Sequence, residues 1–193
     1  MKSKSINILI VGVGGQGTLL ASKLMGKIFI DSGYDVKVGE VHGMSQRGGS
    51  VVTYVRAGEK VYSPVICRGE ADVIISFEAL ESARWLSYLK KGGTIISNTS
   101  EIMPMPVIMG NAEYPENVLE GISALGVNVV SCDALDLAVR AGSAKSVNIV
   151  LLGVAAAVLG LDKDECINAI KATVPPKTVD INLGAFELGY SVK

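Results

Sequence analysis

The run INILIVGVGGQG at residues 6–17 joins an apolar, β-branched stretch to a cluster of glycines, Gly12, Gly14, Gly15 and Gly17. A segment of helical character, residues 18–30, follows at once. This is the pattern of a strand, a tight turn and a helix. Gly12, Gly14 and Gly17 satisfy G-x-G-x-x-G in the strand-to-helix context that gives that spacing meaning. A helix N-terminus presents unpaired N–H groups and the positive end of the helix dipole. Glycines let the chain turn sharply and let a phosphate approach without meeting a Cβ. Gly12, Gly14, Gly15, Gln16 and Gly17 are therefore candidate contacts for the phosphates of a nucleotide-like ligand. A tight turn in an α/β protein whose site lies elsewhere, or a turn that docks a partner chain, fits the same pattern.

Further along, the same alternation of strands and helices continues. Residues 35–41 read as a second strand, and the polar loop His42-Gly43-Met44-Ser45-Gln46-Arg47-Gly48-Gly49-Ser50 follows it. Residues 51–56 and 60–66 are β-rich and joined by Ala57-Gly58-Glu59, which predicts a hairpin and hence a mixed sheet. Residues 72–77 and 94–97 read as short strands around a helix at 78–89, which Lys90-Lys91-Gly92-Gly93 would close. The segment 100–115 holds three prolines and reads as a surface excursion with a short strand at 107–109. Helices are expected at 117–125, 133–141, 146–159, 164–173 and 179–188, and a strand at 127–130. The caps would be Asp133 and Asp162. The alternation predicts a three-layer α/β/α, Rossmann-like domain with a mixed sheet that includes a β-hairpin. At 193 residues, one domain spanning the whole chain is expected.

The second loop adds chemistry to the first. Gln46, Arg47, Gly48, Gly49 and Ser50 bring a bidentate donor, bare backbone and a hydroxyl together, and arginine suits a phosphate or carboxylate. If the first two strands are neighbours, both loops leave the sheet at one edge and grip one anion from two sides. A loop that merely leads into a hairpin is the plain alternative. His42, the chain's single histidine, is the one candidate acid–base group, with no carboxylate partner at a fixed offset. Glu40 lies 23 positions past Gly17, near where an NAD-binding Rossmann site places the acid that holds the ribose.

Composition narrows the classes. Net charge is −1 and no basic stripe appears, against a nucleic-acid partner. Hydrophobic residues make up 49% and charged residues 19%, a thin polar coat that hints at surface covered by another chain. The longest apolar run, residues 147–161, is too short and too interrupted for a membrane span. Cys67, Cys132 and Cys166 are far apart, so no C-x-x-C motif or zinc set exists and no metal ligands are expected. An odd cysteine count without a signal peptide points to the cytoplasm. There is no Walker motif, no G-x-S-x-G elbow and no thiamine-diphosphate signature.

Three stretches resemble a known family: Gly12-Val13-Gly14-Gly15-Gln16-Gly17, the segment from Glu40 to Val51, and the tail Val174-Pro175-Pro176-Lys177 with Asn182 and Ala185-Phe186-Glu187-Leu188-Gly189-Tyr190. Together they are similar to the gamma-type module of the 2-oxoacid:ferredoxin oxidoreductases, and look closest to the small (beta) subunits of the indolepyruvate ferredoxin oxidoreductases. The resemblance implies an α/β/α fold and a share in oxidative decarboxylation of an aryl 2-oxo acid. Coenzyme A would take the acyl group and ferredoxin the electrons. It also implies that thiamine diphosphate and iron–sulfur clusters sit on a large partner subunit, and that this chain is inactive alone. The roles it carries to Gly14, Gly15, Gln16, Gly17, His42, Gln46, Arg47, Gly48 and Gly49 are contacts in the coenzyme A and substrate region. A free-standing NAD(P)- or flavin-dependent Rossmann enzyme and a non-catalytic scaffold remain the alternatives.

Overall fold

A computed structural model describes residues 5–41 and 49–192 of the chain. At its centre lies β1 (Ile6–Val13), whose Ile8, Leu9, Ile10 and Val11 have no exposed surface at all. A strand buried on both faces has no polar side, which is why this run is continuously apolar rather than alternating. Around it run β2 (Asp35–Val41), β3 (Ser50–Gly58), β4 (Ala71–Ser76), β5 (Leu89–Asn98) and β6 (Asn128–Cys132). The sheet order is β2-β3-β1-β4-β5-β6. β1, β4, β5 and β6 are mutually parallel, whereas β3 runs antiparallel to both β1 and β2. The sheet is therefore mixed, as the sequence leads one to expect.

Helices cover both faces. They are α1 (Thr18–Asp31), α2 (Ala79–Trp85), α3 (Met105–Ile108), α4 (Val118–Ala124), α5 (Ala134–Arg140), α6 (Val147–Leu159), α7 (Lys163–Thr173) and α8 (Val179–Tyr190). Ile8 and Ile10 point to a core shared with α1, α5, α6, α7 and α8. Leu9 and Val11 point to the opposite core, against Trp85 of α2 and Ile122 of α4. Successive residues of a strand face opposite ways, so one apolar run serves two helical layers. The result is the three-layer α/β/α arrangement. Asp133 and Asp162 cap α5 and α7 by accepting the N–H groups of Asp136 and Glu165, as their positions predict.

Four local expectations give way. The antiparallel pair is β2 with β3, the next strand in the chain; residues 60–66 form no strand and instead lie beside the sheet edge, with Pro64 packed over Gly39. Proline lacks the N–H a ladder needs, so this run cannot extend the sheet. Second, Lys90-Lys91-Gly92-Gly93 belongs to β5 rather than to a helix end; the preceding helix stops at Trp85 and a single 3₁₀ turn, and Ala71 pairs with Leu89 ahead of an irregularity in register. Third, residues 105–108 are one turn of helix, not a strand, with Pro106 placed where its missing N–H costs nothing. Fourth, β1 and β2 are not neighbours, because β3 lies between them. Two antiparallel steps nevertheless leave β2 parallel to β1, so both strands end at the same edge.

Candidate functional site

The glycine turn sits where that edge meets α1. Gly15 and Gly17 have φ of +101° and +86°, conformations that side chains with a Cβ rarely adopt. Gly17 is the N-cap of α1, and α1 has no side-chain cap and no acid in its first turn. Among the described residues, no side chain caps its first-turn N–H groups. Gly12 serves another purpose. A Cβ there would lie 2.9 Å from Gln16 Oε1 and 3.0 Å from the Phe77 side chain, so it permits packing within the turn.

Gln16 is the turn's internal tie. Its Oε1 accepts the Val13 N–H at 2.7 Å, and its Nε2 donates to the Phe77 carbonyl at 3.0 Å. Asn98, 3% exposed at the end of β5, donates to the same carbonyl at 3.2 Å and accepts the Ala134 N–H at 3.0 Å. One hydrogen-bonded chain therefore stitches the ends of β1, β4 and β5 to the start of α5. Sequence reasoning missed Asn98; its place at the C-terminal end of a parallel strand was the available signal.

The second loop returns to the first. The Gly14 N–H donates to the Gly49 carbonyl at 2.9 Å, and Ser50 Oγ donates to Glu81 Oε2 at 2.5 Å. Glu81 is fully buried and also accepts from Arg84 at 2.6 Å. Neither glutamate of this region was singled out by the sequence. Glu78, 1% exposed, caps α2 and receives the Tyr114 hydroxyl and the Ile102 N–H, which moors the 100–115 excursion. Burial, and then the Glu78 carboxylate, push the Tyr114 phenol well above its usual value. His42, Gln46, Arg47 and Gly48 lie outside the described residues.

Two open hollows flank the turn. One, of about 500 Å³, is walled by Gly15, Gln16, Gly17, Asn98, Ser100 and Lys145 among others. The other, of about 470 Å³, lies between Gly14, Gly15, Thr18, Glu40 and Val51. Glu40 is exposed at the end of an edge strand, with β3 between it and β1. Strands stand about 4.8 Å apart, so this acid is one strand farther from the turn than a Rossmann ribose site requires.

A profile described as pyruvate ferredoxin/flavodoxin oxidoreductase matches residues 7–192. The chain belongs to that family. It is 46% identical to indolepyruvate oxidoreductase subunit IorB of Thermococcus kodakarensis, over 96% of this chain and 95% of the relative. Its fold is similar to that of the gamma subunit of a keto/oxoacid ferredoxin oxidoreductase from Geobacter sulfurreducens, with a TM-score of 0.71, 22% identity and 96% of each chain covered. A 2-oxoglutarate:ferredoxin oxidoreductase from Magnetococcus marinus, with 2-oxoglutarate, coenzyme A and succinyl-CoA bound, superposes with a TM-score of 0.75 at 20% identity. The match covers 98% of this chain but 31% of that one.

For a member of the oxidoreductase family, the thiols here are poor cluster ligands. Cys67 is exposed, Cys132 half-buried and Cys166 buried, and the three lie on separate elements. Burial pushes the Cys132 and Cys166 thiols up to about 11, which keeps them protonated. Iron–sulfur clusters take thiolates, commonly four. Among the described residues, no group of three or more His, Cys, Asp or Glu side chains is placed to hold a metal ion. The same residues contain no helix long and apolar enough to cross a membrane. The glycine turn and the uncapped start of α1, by contrast, do suit a phosphate-bearing cofactor such as coenzyme A.

Proposed function

We propose that this chain is the small subunit of an indolepyruvate:ferredoxin oxidoreductase, a single gamma-type domain in the cytoplasm that forms part of the coenzyme A and substrate region. The observation that carries the reading is the glycine turn itself. It opens the uncapped end of α1 toward a hollow and is bonded through Gly14 to the end of the second loop. The extended identity to an indolepyruvate oxidoreductase subunit supports the aryl substrate.

In this reading a large partner subunit carries thiamine diphosphate and the iron–sulfur clusters, and there the 2-oxo acid is decarboxylated and electrons leave for ferredoxin. This chain's residues bind and orient. Gly14, Gly15 and Gly17 let an anion approach the backbone, and Gln16 holds the turn in shape. Gln46, Arg47, Gly48 and Gly49 are the second loop's candidate anion contacts, Ser50 ties the end of that loop to Glu81, and His42 is the candidate proton-transfer group.

The test is anaerobic purification of the tagged chain from its native host, followed by assay with aryl and aliphatic 2-oxo acids. A co-purifying large chain with iron–sulfur absorption and activity on indolepyruvate is expected. Within that complex, Arg47→Ala should raise the KM for coenzyme A about tenfold or more while assembly stays intact. A colourless lone chain that binds NADH tightly would replace this reading with a nucleotide-dependent enzyme. Unchanged kinetics after substitution of Gly15 in the assembled complex would instead favour a scaffold.

A further inference from the structure

Residues 101–116 follow β5 and cross the surface before α4 starts. This strap is bonded down at both ends. The Ala79 N–H donates to the Ser100 carbonyl at 2.9 Å, and the Ile102 N–H donates to the buried Glu78 carboxylate at 3.1 Å. The Tyr114 hydroxyl donates to the same carboxylate. Between these moorings, Pro104, Pro106 and the single turn α3 fix the backbone. Yet Met103, Met105, Ile108 and Met109 are each between 45% and 65% exposed. A buried carboxylate therefore holds in place a segment whose large apolar side chains face water. Single exposed apolar residues are ordinary, but four within seven positions make a patch of the kind that marks a contact surface.

Charge supplies an independent observation. Residues 92–139 hold six carboxylates and no lysine or arginine, in a chain that has 18 of these cations. Glu101, Glu113 and Glu116 lie exposed on the strap itself. Asp133 and Asp136 stand at the start of α5, whose Leu135 and Val139 are exposed apolar residues. Among the described residues, only Asp136 of these five acids meets a cation, Arg140 at 3.7 Å. The strap and α5 leave the parallel neighbours β5 and β6 at the same end, and Ser100 and Leu135 wall the same hollow beside the glycine turn.

An apolar centre within an acidic rim selects what covers it. The same face of a second copy would set acid against acid. The exposed apolar side of α1 and β2, with Leu19, Ile30 and Val38, offers a second copy no positive counterpart either. There Lys23, Lys27 and Lys37 are balanced by Asp31, Asp35 and Glu40. A different chain is required, with an apolar centre ringed by lysine and arginine. We propose that residues 101–116, with Leu135 and Val139 of α5, are the surface on which the large subunit docks through such a face. This rests on the subunit reading and names its contact. Methionine side chains adapt to irregular partners, and a strap already fixed by proline and Glu78 loses little freedom on binding. Docking there also brings the partner to the mouth of the hollow that Ser100 and Leu135 wall.

The test uses the complex purified anaerobically through the tagged chain. Amides of residues 101–116 should exchange hydrogen about tenfold or more slowly in the complex than in the chain alone. Met105→Ser/Met109→Ser and, separately, Glu113→Lys/Glu116→Lys should each cut recovery of the large chain about tenfold or more, whereas Ile30→Ser on the other apolar face should not. Recovery with the wild type should fall as salt rises. All these side chains are exposed, so thermal melts of the variant chains should match the wild type. A large chain retained undiminished by either double variant, or strap amides that exchange alike in the two states, would overturn the docking surface and leave the subunit reading standing. Protection that follows ferredoxin rather than the large chain would overturn it too. No large chain with the wild type would overturn both.

Discussion

Gln16 illustrates how one side chain can read as a ligand contact and act as a strut. It lies in the wall of the larger hollow, yet both ends of its carboxamide are engaged by backbone, at Val13 and Phe77. Gln16→Ala would leave the Val13 N–H without its side-chain acceptor and the Phe77 carbonyl with Asn98 alone. A loss of about 1–3 kcal/mol in urea unfolding is expected. Glu81 is the complementary case. Its spacing on α2 marks nothing unusual, but it is fully buried and holds Ser50 and Arg84. Glu81→Ala should cost about 2–3 kcal/mol, since hydrogen bonds to a charged group are the stronger kind. Because Ser50 ends the second loop, the same variant should also raise the KM for coenzyme A in the complex. A stability loss with unchanged KM would separate the two roles.

At the level of elements, helices and strands with a clean period were legible. The strand-turn-helix of β1 and α1, the capped α5 and α7 and the apolar α6 all follow from local pattern. What α6 packs against did not. α6 crosses α8 through two glycines: a Cβ on Gly153 would lie 2.3 Å from the Phe186 carbonyl oxygen, and one on Gly189 2.0 Å from that of Val150. The obstacles are backbone atoms and cannot rotate away. Gly189→Ala must separate the helices, with an expected loss of about 2–3 kcal/mol and a fall in Tm of several degrees, as typical of overpacked cores in chains of this size. One of the misread segments shows tertiary pairing at work. Lys90-Lys91-Gly92-Gly93 has the local signature of a helix end, but pairing of Leu89 with Ala71 draws the whole segment into β5. Tertiary pairing overrides a local signal whose own energy is at most about 1 kcal/mol per residue.

For the molecule as a whole, alkaline pH probes the helical layer that covers α1. Cys166 lies within that core and Cys132 packs against it. Burial raises both thiols from 9.0 to about 11 in the folded state. An acid whose folded pKa is raised stabilises the fold fully below its unfolded value and loses that contribution as pH climbs to the folded one. Stability should therefore decline between pH 9.0 and about 11, and the raised phenols of Tyr54 and Tyr114 extend the decline upward. Urea midpoints across that window check it; the Cys132→Ala/Cys166→Ala variant should show a shallower slope. The sequence by itself determined the glycine turn, the start of α1, the α/β/α layering and the caps, because hydrophobic period, glycine placement and capping chemistry act over a few neighbouring residues. Only the tertiary structure decided that β3 separates β2 from β1, that Gln16, Phe77 and Asn98 lock three strand ends together, and that Asn148 meets Gly17. Those meetings join residues more than a hundred positions apart in the extreme case, Gly17 and Asn148. They are chosen by packing of whole layers, which leaves no trace in local pattern.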